Sequence, residues 1–191
     1  RYLISSAHGW LGGFGFASAA LNLVDRDRWI GWDRDTQQAQ LHRVLGMSRF
    51  LLRPQGCHNL ASHLLGRVLQ CVAHDFEQRF GYRPYLIESF VDTSRFDGAC
   101  YRAANFQRIG ETRGRGRQDR GHDHNATTKA IYVYPLVPDF RQRLGVVAAP
   151  GISPLAVGDG LDSGQWASQE FGDAALGGKR LSQRLVASAA L

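Results

Sequence analysis

The run NLASHLLGRVLQCVAHDFEQRFG, residues 59–81, constrains the fold more than any other stretch. Leu60, Leu64, Val68, Cys71, Val72, Phe76 and Phe80 recur at intervals of three and four. That spacing gathers them on one broad face of a helix about six turns long. Such a face needs an apolar surface of matching length to lie on. Asn59 stands where a capping side chain belongs. Soon after comes PYLIESFVD, residues 84–92, in which Leu86, Ile87, Phe90 and Val91 are too continuously apolar for a strand with one wet face. An amphipathic helix followed by a strand buried on both sides predicts helices covering a sheet, the α/β class.

The flanking segments fill out that sheet. Small and apolar residues alternate from Gly13, turn at DRDR and resume at WIGW, which predicts a hairpin over residues 13–32. DTQQAQLHRVLG predicts a helix capped at Asp35 or Thr36, with Leu41, Val44 and Leu45 at helical spacing. Residues 47–53 read as a short strand stopped by Pro54, parallel to residues 84–92 in the middle of a mixed sheet. GACYRAANFQRIG predicts a short helix ending near Phe106, and AIYVYPL, Ala130 to Leu136, a further strand.

Gly145 to Gly164 changes character: it is rich in Gly, Pro and Ala, and its only charges are Asp159 and Asp162. This predicts a linker. Beyond it, Leu181, Leu185 and Val186 mark an apolar helical side, while Lys179, Arg180 and Arg184 carry charge. The chain thus divides into a body, residues 1–144, a linker, 145–164, and a short helical tail, 165–191. It begins at Arg1 and ends while this helix is still running, as an excerpt of a longer protein would.

Charge points to the partner. Lys and Arg number 23 against 17 Asp and Glu, a formal +6, which favours an anionic partner, nucleic acid before a phosphorylated cofactor. Cys57, Cys71 and Cys100 are odd in number and lack CxxC spacing, which fits a reducing, cytoplasmic setting. No run approaches the roughly 18 apolar residues of a membrane span, so no membrane partner is expected.

Three groups of residues could carry chemistry. GETRGRGRQDRGHDH, residues 110–124, spaces Arg113, Arg115 and Arg117 with glycines and adds Arg120. Glycine lets a backbone come close to a polyanion, and guanidinium forks match phosphate oxygens. The same composition also suits a solvated connector. His122 and His124 flank Asp123, with Asp119 nearby, a donor set for a metal or for general acid–base work if the side chains converge. Glu88 and Asp92 lie at i and i+4 on one face of a strand, either as paired carboxylates at the sheet's C-terminal end or as an arginine partner and a turn cap. Cys71, on the helix's apolar face, reads as core, and no base is assignable to Cys57 or Cys100.

The order strand pair, strand, long helix, strand, short helix resembles the GCN5-related N-acetyltransferase fold. CYRAANFQRIG, Cys100 to Gly110, is similar to that family's Tyr-x-x-x-Gly-Phe-x-x-x-Gly segment, with Asn105 in place of the glycine. The resemblance implies acetyl-CoA at the start of the long helix, on a loop patterned Gln/Arg-x-x-Gly-x-Gly/Ala. Set on Gln55, that pattern meets His58 and Leu60 instead of small residues, so no cofactor is expected. More specifically, ESFVD, CYRAANF, GETRGRGR and IYVYPL resemble the DruA domain of Druantia anti-phage systems, a domain also found in transposase-like proteins. Trp166, Glu170–Gly172, Ala174, Leu176, Gly177, Lys179, Arg180, Arg184 and Leu185 resemble the opening of the DNA-binding domain of IS4/Tn5-type transposases, with Gly178 at its usual aspartate.

These resemblances imply a non-catalytic, DNA-associated module of a defence or transposition complex, with protein partners. The transposase carboxylate core would lie beyond Leu191. Two readings stand beside this one: a divergent acyltransferase or nucleic-acid or nucleotide-processing enzyme using Glu88, Asp92 and His122/His124, and a protein-interaction scaffold.

Overall fold

The computed structural model describes residues 1–7, 9–53, 59–112 and 128–146, with the backbone of 184–187. The first two strands, β1 (Tyr2–Ser6) and β2 (Gly9–Ser18), form the N-terminal hairpin, so the strand pair sits earlier than residues 13–32. The segment read as the hairpin's second arm is helix α1, Val24–Ile30. The polarity of DRDR misleads here because one of its arginines faces inward. Arg26 is wholly buried, in line with Leu23 and Ile30 on the helix's inner side. Gly31, at φ 87°, closes the helix in the left-handed conformation that favours glycine, its N–H donating a hydrogen bond to Asp27 O.

Helix α2, Arg34–Gln40, starts earlier than Asp35 or Thr36 would place it: Asp33 Oδ1 accepts from the Thr36 amide at 2.7 Å. It does not extend to Val44 and Leu45. A 3-10 turn, Leu41–Arg43, leads into β3, Val44–Leu52, where Val44 and Leu45 point into different cores.

The long helix is present as α3, Leu60–Phe80. Asn59 occupies the cap position at φ 60° without a side-chain capping bond, and its carbonyl accepts from Ser62 Oγ instead. The chain then enters β4, Leu86–Asp92, and α4, Ala99–Ala103. Asn105, at φ 63°, ends α4 in the left-handed conformation that asparagine tolerates after glycine, and the Phe106 amide bonds back to Tyr101 O. The asparagine in the CYRAANF segment therefore performs the turn a glycine would. Strands β5, Gln107–Glu111, and β6, Lys129–Pro135, precede a short helix α5, Phe140–Arg143.

The strands order as β5-β6-β4-β3-β2-β1-β7. Among the described strands only β3 and β4 run parallel, as expected for the central pair; the other described neighbours are antiparallel. Strand β7, Arg184–Ala187, pairs antiparallel with β1. This corrects the helical reading of the tail at those four residues: edge pairing on β1 outweighs an apolar spacing that also suits a strand.

Two cores lie on the two sides of the sheet. Leu64, Leu65, Val68 and Val72 of α3 pack on Leu45, Ile87 and Tyr132 on one side. On the other, Ile30, Phe140 and Leu144 pack on Val44, Leu86 and Val133. Leu86 and Ile87 are fully enclosed, as the continuous apolar run of β4 requires.

Candidate functional site

Glu88 stands at the centre of β4 with no exposed surface. Its Oε2 accepts from Arg26 Nη1 at 2.8 Å, and its Oε1 from the Ala20 amide at 2.7 Å. The same guanidinium donates to Ala20 O at 2.7 Å and to Asp27 Oδ1 at 2.8 Å. Asp27 in turn accepts from Trp32 Nε1 and Gln37 Nε2. Burial pushes the Glu88 carboxyl up from its usual range, opposed by Arg26 and the Ala20 amide. Every polar end here is occupied by a neighbour, so the network joins α1 and the segment after β2 to the central strand. It leaves no atom of Glu88 for a substrate.

Asp92 lies at the far end of the same strand. The two carboxylates share a face, yet four residues of strand separate their Cα atoms by about 13 Å. Asp92 Oδ1 accepts from the Ser94 amide at 3.1 Å and from Ser94 Oγ at 2.6 Å. Ser94's hydroxyl foremost holds its carboxyl below the usual range. The structure therefore places Glu88 in an arginine pair and Asp92 in a turn, not in one acid–base site. Among the described residues no cluster of His, Cys, Asp and Glu could hold a metal. His122, His124, Arg113, Arg115, Arg117, Arg120, Lys179 and Arg180 lie outside the described residues, and so does Cys57. Arg184 is described only as a position on β7.

The roots of the Arg-Gly connection are described. The Thr112 amide donates to Lys129 O at 2.8 Å, and the Lys129 amide to Thr112 Oγ1 at 2.9 Å. Register places Lys129 opposite Asp92, so the chain leaves and rejoins the fold at the C-terminal end of β4.

Between β3 and β4, Ser89 Oγ donates to the buried Tyr101 hydroxyl at 2.9 Å. Burial pushes that phenol up to about 12, and the Cys71 thiol on α3 up to about 11. Neither group is poised as a nucleophile near neutral pH.

The pairing of Glu88 with an arginine and the turn at Asp92 were one of the two sequence readings; that the arginine is Arg26, buried on α1, was not foreseen. A signal existed in Leu23, Arg26 and Ile30 at i, i+3 and i+7, which places an arginine on an apolar helical face.

Fold and site together define an α/β domain on one mixed sheet, its central parallel pair joined by a long helix and its central carboxylate committed to structure. Residues 1–123 match the family described as Druantia protein DruA, and the chain belongs to that family. Comparison with curated proteins gives no match. No described helix is long and apolar enough to cross a membrane.

Proposed function

We propose that the chain is a non-catalytic, DNA-associated module of a phage-defence or transposase-like protein. In this reading Arg113, Arg115, Arg117 and Arg120 grip nucleic-acid phosphates, and Lys179, Arg180 and Arg184 add contacts from the tail. The observation that carries it is the rooting of the arginine-rich connection. Its two ends are pinned together through Thr112 and Lys129 at the end of the sheet, beside half-buried Asp92, with Lys129 itself exposed. Both ends of the arginine-rich stretch thus meet the fold at one surface position at the end of the sheet, which supports contact with a polyanion there. DruA membership supports the defence setting, and the formal +6 supports an anionic partner.

The scaffold reads as GCN5-related N-acetyltransferase-like. In its favour, β3 and β4 are parallel neighbours joined by α3, and they pair over only Val44–Met47 and Leu86–Ser89 before β3 continues alone beside β2. The body spans residues 1–144 in this reading, with 145–164 as linker and 165–191 as a partial DNA-binding segment.

Gel-shift titration across a salt series tests the proposal. Converting Arg113, Arg115 and Arg117 to alanine should weaken unrelated duplex sequences equally. It should also flatten the log-affinity against log-salt slope by about 2.7, three phosphates' worth. Unchanged affinity and slope would make the loop a solvated connector.

A further inference from the structure

The end of the sheet opposite the Arg-Gly connection gathers arginines and rings from three distant parts of the chain. Register aligns Val44, Leu86 and Pro135, so the entries to β3 and β4 and the exit from β6 lie side by side. The Tyr85 amide donates to Arg43 O at 2.8 Å, and Arg43 Nη1 to Arg83 O at 3.1 Å. The guanidinium carbons of Arg43 and Arg143 lie 5.2 and 5.9 Å from the Tyr85 ring centre. The end of α3 adds Arg79, whose guanidinium lies 5.6 Å from the Phe80 ring, and Phe80 stands 6.4 Å from Tyr82.

We propose that this end is a second nucleic-acid surface, one that takes single-stranded chains. The proposal rests on the reading above that the protein meets nucleic acid, and adds a different site and strand type. Guanidinium groups alone would suit any polyanion; what favours a single strand is the rings among them. Phe80 packs against Phe76 at 5.0 Å and lies beneath the Arg79 guanidinium, yet it stays 54% exposed, and this exposed part of the ring is what an unstacked base would meet. The neighbouring arginines then meet the flanking phosphates. Two of them are already paired, Arg83 with Glu77 and Arg143 with Asp139, but these pairs are about half-exposed. Exposed pairs are weak and exchange readily for phosphate. The length of β4 sets this surface about 20 Å from the root of the Arg-Gly connection, so the two sites can be varied independently.

The test measures fluorescence anisotropy of labelled oligothymidylate with the full chain in a salt series. Three variants are compared: Arg79→Ala with Arg83→Ala, Phe80→Leu, and the triple alanine variant of the loop. The arginine pair should flatten the single-strand salt slope by about 1.4, two phosphates' worth. Changing both positions to lysine instead should retain the slope. Phe80→Leu, which keeps apolar packing but loses the ring, should weaken oligothymidylate at least about fivefold without changing the slope. It should leave heparin, a polyanion without bases, unaffected. Melting by circular dichroism checks that each variant folds, and the lysine and leucine variants carry the test should the alanine pair unfold.

An unchanged slope in the alanine pair, with the fold intact, overturns the proposal. So does a Phe80→Leu variant that binds oligothymidylate normally, and so does polyglutamate binding as tightly as the oligonucleotide, which would mark an acidic-protein surface. If the loop variant has no effect while these variants behave as stated, the loop reading falls and this one stands. The reverse pattern sinks this one alone.

Discussion

Replacing Arg26 by alanine should be the most damaging single exchange of a charged residue in the described body. Arg26 and Glu88 both have side chains with no exposure, and their contact is 2.8 Å. Without Arg26, Glu88 keeps one bond, from the Ala20 amide, and the Ala20 carbonyl loses the guanidinium donor. Breaking a buried pair from one side costs about 3–5 kcal/mol, against a typical total stability of 5–15 kcal/mol. For a domain of this size the melting temperature should fall by roughly 10–15 °C. Glu88→Gln keeps an acceptor for Ala20 and should cost less. The sign of the pH dependence follows from the carboxyl. Its folded pKa is already raised by burial, and removing Arg26 removes a lowering influence. Between the unfolded and folded values the folded state holds the extra proton, so stability rises as pH falls. The Arg26→Ala penalty should therefore be smaller near about pH 5 than near about pH 8. Urea unfolding followed by circular dichroism at both pH values measures it. A loss below about 1 kcal/mol, or a penalty that grows toward low pH, would show that water reaches the pair and refute the reasoning.

Gly98 caps α4 at φ 72°, and a Cβ there would strike the Tyr132 hydroxyl. Gly98→Ala should cost about 1–2 kcal/mol from the backbone alone, with the clash in addition, read as a lowered urea midpoint. In a Cys57→Ser background, Cys71 and Cys100 should react slowly with a disulfide reagent near neutral pH, because burial raises both thiols. Denaturant should restore fast labelling, and fast labelling of the native protein would contradict the burial.

What the sequence made legible was whatever depends on a strong local period. Helix α3 announces itself through one continuous apolar face, and strand β4 through the apolar pairs that flank its buried Glu88 and Ser89; the parallel pairing of β3 and β4 follows from the helix that connects them. Residues 24–30 failed for the opposite reason. Their charges look like a turn until Glu88, 62 positions from Arg26, supplies the partner that lets an arginine be buried. Val44 and Leu45 carry a spacing compatible with helix or strand, and only the sheet decides between them. Asn105 looked like a departure from a glycine motif, yet its φ shows the turn retained. The basic, aromatic end was invisible because Arg43, Arg83 and Arg143 are brought together by register, across a hundred positions of chain.

The family match ends at residue 123, between β5 and β6, and this makes a sharp prediction about the folded unit. Strand β6 is interior: it pairs with β4 from Leu86↔Pro135 to Asp92↔Lys129, and with β5 on its other edge. Ala130, Ile131, Tyr132 and Val133 are each at most 2% exposed, and Phe140 and Leu144 beyond them close the second core. Fully burying Ile, Val or Phe contributes about 1.5–3 kcal/mol each, so losing β6 and α5 removes more than a typical domain's margin. It also strips β4 of a whole ladder and leaves β5 without its strand partner. A chain stopped at residue 123 should therefore give a collapsed amide spectrum by nuclear magnetic resonance and no cooperative melt. One stopped at residue 146 should unfold cooperatively. A dispersed spectrum from residues 1–123 would mean that β5 can pair directly with β4, and that β6 is an addition to the sheet, not its middle.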